Sequence, residues 1–275
     1  MAELSSPPTS QYFNLTYPLP YVAHVEINRP EKLNAFIEPP ASIDSYRTNP
    51  IHIANTTQNT PPASPAPSSP TSPPSNPASP SLETCPKPII AVLHGHCYGL
   101  GIDLSLCADL RICTPSAKFA VKEVDLGLAA DVGTLSRLGK VAGNASWVKD
   151  VCISAREFDA QEALRFGFVS RDYRSSCLRR PRITMRKRKG MAKEKETAIS
   201  TALQWASTVA SKSPVAVQGT KELLNWSRDH SVADGLRYTA VWNGAMLQTE
   251  DVGRAMRAGG VGKGKEKKKP RFEKL

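Results

Sequence analysis

The segment that most restricts this chain runs from Lys87 to Thr114, KPIIAVLHGHCYGLGIDLSLCADLRICT. It opens with KPIIAVLHG, a short and almost wholly apolar run of the kind that becomes a strand buried on both faces. The glycine-bearing turn Tyr98-Gly99-Leu100-Gly101 follows, then GLGIDLSLCAD with the pattern of a helix, then LRICT, which returns to strand. Strands that alternate with helices at this spacing argue an α/β fold with parallel strands.

The flanking sequence extends the pattern. In YVAHVEIN, residues Tyr21, Ala23, Val25 and Ile27 share one face of a predicted strand, and RPEKLNAF reads as a turn into a helix start. GTLSRLGKVAG and ASWVKDVCI read as helices, the second with Asn144 as N-cap. FDAQEALRFGF reads as a short helix capped by Asp159 and ended by Gly167, with FVSRDY as a strand after it. Three more helices are expected: Thr197–Ala210, one beginning at Pro214, and one capped by Ser231 that runs to about Leu247.

Between Glu38 and Pro86 the pattern collapses. Residues 39–81 are dominated by Pro, Ser, Thr, Ala and Asn, and much of the chain's complement of 23 prolines lies here. Such a stretch buries too little apolar surface to offset its ordering entropy, so it is expected to be a disordered, Pro/Ser-rich insert without secondary structure. The formal net charge is +11, and much of it sits in Arg179–Lys195 and Lys263–Lys274, which read as solvated charge runs. No apolar run reaches the roughly 18 residues of a membrane span, and the N-terminus lacks the basic-then-apolar order of a secretory signal. The six cysteines form no CxxC pair and no metal spacing with the five histidines, so reduced, buried thiols are expected.

The stretch Lys87–Tyr173 resembles the crotonase, or enoyl-CoA hydratase/isomerase, superfamily, carried by KPIIAVLHGHCYGLGIDLSLCADLRICTPSAKFAV and ISAREFDAQEALRFGFVSR. VKEVDLGLAADVGTLSRLGKVAGN, SKSPVAVQGTKELLNWSRDHSV and WNGAMLQTEDV resemble its dienoyl-CoA isomerase branch, and VAHVEINRPEKLNAF resembles the family's opening strand and turn. The resemblance implies a crotonase-like ββα spiral core with a C-terminal helical region. Its expected divisions are 1–38 (opening strand and turn), 39–86 (low-complexity linker), 87–173 (core with the active-site acids), 174–196 (basic insert), 197–252 (helical oligomerisation region) and 253–275 (basic tail).

The branch rests mainly on three acids, Asp103, Glu123 and Asp131, whose spacing GID…VKEV…AAD is similar to the isomerase triad. Each alone is more often a capping or surface acid. Together they suit the chemistry: moving a conjugated double-bond system along a thioester removes one proton and adds another further along, which two carboxyl groups at opposite ends can do. Their pKa values must be split, and the apolar run Leu126–Ala130 is expected to supply low-dielectric surroundings. The resemblance implies that Glu123 and Asp131 move protons between C2 and C6 while Asp103 orients them. It also implies an oxyanion and substrate-binding turn at Gly99, Leu100 and Gly101, with the backbone N–H of Leu100 as donor. The second donor comes, in the family, from a segment resembling [SA]-G-x-D that has no counterpart between Phe36 and Cys85, so low activity is expected.

The implied ligand is an acyl-CoA substrate, with no metal or redox cofactor. The resemblance also implies a homo-oligomer, a trimer or dimer of trimers, and neither a membrane span nor a nucleic-acid partner is expected. The C-terminal Glu273-Lys274-Leu275 resembles the peroxisomal S-K-L address, with a mitochondrion as the other placement. A 2-enoyl-CoA hydratase is the alternative enzyme, separated by Asp131, where that branch has no acid. A non-catalytic scaffold that binds RNA or an acidic partner through its basic runs is the alternative of another class.

Overall fold

The computed structural model describes residues 13–27, 52–56, 78–172, 187–258 and 271–272. β1 (Phe13–Leu19) and β2 (Val22–Ile27) form an antiparallel hairpin. Tyr21 turns it at φ 62°, so Tyr21 is exposed and does not share the buried face of Ala23, Val25 and Ile27. β1 itself gave no sequence signal that was read. Phe13 and Leu15 complete that face, while Val22 points to the opposite one.

β3 (His52–Thr56) lies parallel to β2 on one side and to β4 (Ile89–Leu93) on the other. α1 (Ala78–Thr84) precedes β4. Both elements fall in the 39–86 span expected to be featureless, which corrects that expectation at these two places. The physical reason for β3 is pairing: two parallel neighbours supply ladder partners on both edges, and HIANT carries no proline to block them. The rest of that span before Ala78, and RPEKLNAF, lie outside the described residues.

From β4 onward the chain winds as a repeating unit. β4, β5 (His96–Tyr98) and α2 (Leu100–Leu106) make one turn; β6 (Leu110–Cys113), β7 (Lys118–Ala120) and the 3-10 turn Glu123–Leu126 make the next. β4 pairs with β6 in a six-stranded sheet of order β1-β2-β3-β4-β6-β9, and β5 pairs with β7 in a three-stranded sheet of order β5-β7-β8. Each turn of the spiral therefore adds one strand to each sheet. α3 (Thr134–Val141), α4 (Ala145–Ser154), β8 (Phe158–Asp159), α5 (Ala160–Arg165) and β9 (Arg171–Asp172) close the unit. Asn144 caps α4 by accepting from Trp147 N–H at 2.9 Å, and Asp159 caps α5.

All five residues of β4 are buried, as its composition requires. One face meets Ile102, Leu106, Phe119, Phe158 and Phe168; the other meets Ala198, Ala202 and Ala206 of α6 (Lys187–Ala210). Alanines at every fourth position let that helix lie close to the sheet. α6 begins ten residues before the sequence boundary at Thr197, so the basic block is partly helical. α7 (Pro214–Ser227), α8 (Val232–Met246) and α9 (Glu250–Ala258) follow; α9 runs across the expected start of the basic tail. Cys85, Cys97, Cys107, Cys113 and Cys152 are buried thiols, none in a disulfide among the described residues. No helix among the described residues is long and apolar enough to cross a membrane.

Candidate active site

α2 places the first acid. Gly99 begins the helix at φ 51°, and its carbonyl accepts from Ile102 N–H at 2.7 Å and Asp103 N–H at 3.3 Å. Asp103 is thus fixed in the first turn, facing inward and 1% exposed. Its Oδ1 accepts two hydrogen bonds from Thr134, at 2.8 Å from the backbone N–H and 2.7 Å from the hydroxyl. Burial pushes the Asp103 carboxyl up, the Thr134 bonds pull it back, the charge of Asp131 raises it and that of Arg137 lowers it; the net direction is upward.

Glu123 opens the 3-10 turn after β7, and Gly127, at φ 81°, closes that turn by donating to the Glu123 and Val124 carbonyls. The Glu123 carboxyl lies against the Gly99 backbone: a Cβ on Gly99 would sit 3.3 Å from Oε1. Its Oε2 is buried without a hydrogen-bond partner. Burial is the largest cause pushing this carboxyl up; the charges of Asp103 and Asp131 add to it, and backbone amides of Glu123 and Lys122 oppose it. The Cys152 thiol, from α4, lies in the same field and is also pushed up, by burial and by Glu123.

Asp131 stands on the loop before α3 and is exposed. Its charge acts on both other acids, so the structure brings all three within electrostatic reach of one another. Of the turn residues, Gly99 has its N–H engaged by the Ala120 carbonyl at 3.1 Å, so it contributes no free donor beside Leu100. Its part is steric: its φ favours a glycine, and a Cβ there would crowd the Glu123 carboxylate. The N–H groups of Leu100 and Gly101 open a helix and have no acceptor within it. Leu100 does not share the left-handed backbone of Tyr21 and Ala155, so a side chain is tolerated there.

The apolar run Leu126–Ala130 does not wall the site as expected. Leu126 is 52% and Leu128 44% exposed in the single chain, and only Ala130 is buried. The loop turns these side chains outward because the tight 3-10 turn spends its inward direction on Glu123. A cavity of about 730 Å³ lies elsewhere, where α6 and α7 cross the starts of β4 and β6 near Ile89, Leu110 and Val209. Among the described residues no three His, Cys, Asp or Glu side chains gather as a metal site. Thr134 was not read from sequence; its only signal is a hydroxyl residue at a helix start, a position where such residues usually cap their own helix.

A family model described as enoyl-CoA hydratase/isomerase matches residues 62–184. The mitochondrial Δ(3,5)-Δ(2,4)-dienoyl-CoA isomerase of Homo sapiens is 47% identical over 194 residues, 70% of this chain and 53% of that protein. This chain therefore spans about half the length of that relative. The peroxisomal Δ(3,5)-Δ(2,4)-dienoyl-CoA isomerase of Arabidopsis thaliana is 34% identical over 284 residues, covering 92% of this chain and 93% of the relative. Among solved structures, an enoyl-CoA hydratase subunit from Geobacillus kaustophilus superposes with a TM-score of 0.72 at 21% identity, covering 95% of this chain and 98% of that one. An enoyl-CoA hydratase from Bacillus anthracis gives a TM-score of 0.71 at 21% identity over 95% of this chain and 99% of that one. At such identities these two speak for the fold alone.

Proposed function

The chain belongs to the enoyl-CoA hydratase/isomerase family, and on that premise we propose that it converts 3,5-dienoyl-CoA to 2,4-dienoyl-CoA. The observation that carries the reading is the cluster itself: Glu123 with one buried oxygen lacking a partner, Asp103 clamped by Thr134, and Asp131 within reach of both. Glu123 takes a proton from C2, the double bonds shift by one position, and Asp131 returns a proton at C6. Atoms and charge balance without an oxidant, and the reading calls for no cofactor beyond the CoA thioester itself. Asp103 orients the pair. The Leu100 N–H stabilises the charge that develops on the thioester oxygen.

The test follows the ultraviolet absorbance of the conjugated product. Glu123→Gln and Asp131→Asn are each expected to remove most of the rate, since each removes one end of the proton transfer, and Asp103→Asn to cost less. An unchanged isomerase rate in Asp131→Asn, with water addition to a 2-enoyl-CoA intact, would install the hydratase reading instead. With no [SA]-G-x-D segment before Cys85, wild-type turnover is expected roughly 100- to 1000-fold below that of a chain with both oxyanion donors.

The compartment and assembly belong to the same proposal. Relatives are named for the peroxisome in Arabidopsis and for the mitochondrion in mammals. The terminal Glu273-Lys274-Leu275 favours the peroxisome here. Loss of peroxisomal import on deleting those three residues is the check; unchanged import would discard the address. A homo-oligomer is supported by the exposed apolar side chains of α8, including Val232 at 81% and Val241 at 69%.

A further inference from the structure

Arg137 does not behave as a surface residue of α3. Its guanidinium donates to Glu83 Oε2 from Nε at 3.1 Å and from Nη2 at 2.7 Å, and Nη1 points at the Val132 carbonyl at 3.4 Å. Both side chains of the ion pair are largely enclosed, 17% and 20% exposed. Glu83 is shared: its other oxygen accepts from Arg228, at the end of α7. One carboxylate therefore ties α1, α3 and the end of α7 together.

The loop that this pair holds is the one that carries the acid site. Val132 stands between Asp131 and Gly133, and Thr134, which clamps Asp103, follows directly. Gly133 is shaped for the contact. It sits at φ 131°, and a Cβ there would lie 1.7 Å from Arg137 Nη1. Only glycine lets the guanidinium rest on the loop at this backbone angle. Arg137 also lies close enough to Asp103 for each to feel the other's charge.

We propose that Arg137 is a positioning residue for the acid site: paired with Glu83, it fixes the loop 131–133 and thereby the placement of Asp131 and the Thr134 clamp on Asp103. The proposal rests on the isomerase reading for its effect on rate, and on the loop alone for its effect on order. A misplacement on the order of 1 Å at a reacting group costs about 100-fold, so a loosened loop reads out strongly.

The experiment uses the full chain with Arg137→Ala, Arg137→Lys and Glu83→Gln. Isomerase kcat and KM are followed against pH, and amide hydrogen exchange is followed in peptides spanning residues 128–138. Arg137→Ala is expected to lower kcat by about 10- to 100-fold with KM little changed, and to speed exchange at residues 131–134. The acid limb of its kcat profile should move to higher pH, since the positive charge that favours ionised Asp103 is gone. Added guanidinium ion should restore part of the rate. Arg137→Lys keeps the charge without the fork and should fall between. Should Arg137→Ala fail to fold, Glu83→Gln tests the same pair and should reproduce the kcat loss and the faster exchange. Unchanged kcat and unchanged exchange in folded variants overturn the proposal. Wild-type chain that turns over no dienoyl-CoA defeats the isomerase reading instead, and the exchange result then decides the positioning role by itself.

Discussion

The Glu123 carboxylate keeps one oxygen buried without a hydrogen-bond partner, an arrangement a fold adopts at a cost. A carboxyl whose folded-state pKa is raised stabilises the fold while protonated, and that contribution is lost as pH rises through the folded-state value. Near neutral pH the ionised form is therefore the strained one. Glu123→Gln, which copies the protonated state, should raise stability by about 1 kcal/mol, or roughly 2–4 °C in Tm, while removing most isomerase activity. Calorimetry on the variant checks the first half; a Tm equal to or below wild type would show that the orphaned oxygen carries no cost. The three acids were legible because their spacing travels with the family resemblance. Thr134 and Arg137 were not, because what gives each its role is a partner 31 and 54 positions away, and no local periodicity encodes that. The outward turn of Leu126 and Leu128 escaped for the opposite reason: apolar composition predicts burial, and the 3-10 turn overrode it.

At the scale of elements, the contact between α6 and the large sheet is apolar at its centre and titratable at one end. There His94, just after β4, faces Lys195 of α6 and Glu26 of β2, which pair with each other at 2.5 Å. Burial, and then Lys195, hold His94 down to about 4, with Glu26 opposing; His24 is lowered as well. A histidine with a depressed folded-state pKa gives stability that is present above its unfolded value, near 6.5, and lost as pH falls toward the folded value. Denaturation midpoints should therefore fall between pH 6.5 and 4, by an amount worth about 3 kcal/mol, and His94→Asn should flatten much of that slope. A wild-type curve already flat over this window would remove the argument. A second element-level tie is Lys221 of α7, whose Nζ donates to Asp109 at 2.8 Å and to the Lys87 carbonyl at 3.1 Å. Asp109 in turn accepts from Ile89 N–H at 2.7 Å. Lys221→Met should cost about 2 kcal/mol in urea unfolding, because it strands a partly buried carboxylate; no loss would mean that α7 is held by its apolar contacts. The major helices were readable from the caps Asn144, Asp159 and Ser231 and from Pro214 at the start of α7, whereas the cap Ser213 was not read. The short strands β5, β7 and β8 were not, since two or three residues hold no period.

For the whole molecule, the spiral core could be anticipated, but not the surface it leaves bare. Leu224, Val232, Leu236, Val241, Leu247 and Met256 stand exposed along α7, α8 and α9. That much apolar area on consecutive helices supports the homo-oligomer proposed above. Sedimentation is expected to show an oligomer that Val232→Lys with Val241→Lys shifts toward monomer; a wild-type chain that stays monomeric at high concentration would count against it. The insert could be read as proline-rich, yet β3 could not be found within it, because its evidence is the pair of strands waiting on either side. Among the described residues β3 is the sole ladder between the β1–β2 hairpin and β4. Were it to detach, Ile89–Leu93 would become a free edge of five apolar residues with no charge and no proline. Such an edge recruits the same edge of another molecule. Protection of that edge thus hangs on five residues inside the proline-rich stretch, and Ala54→Pro is expected to make the chain bind a cross-β dye that the wild type does not.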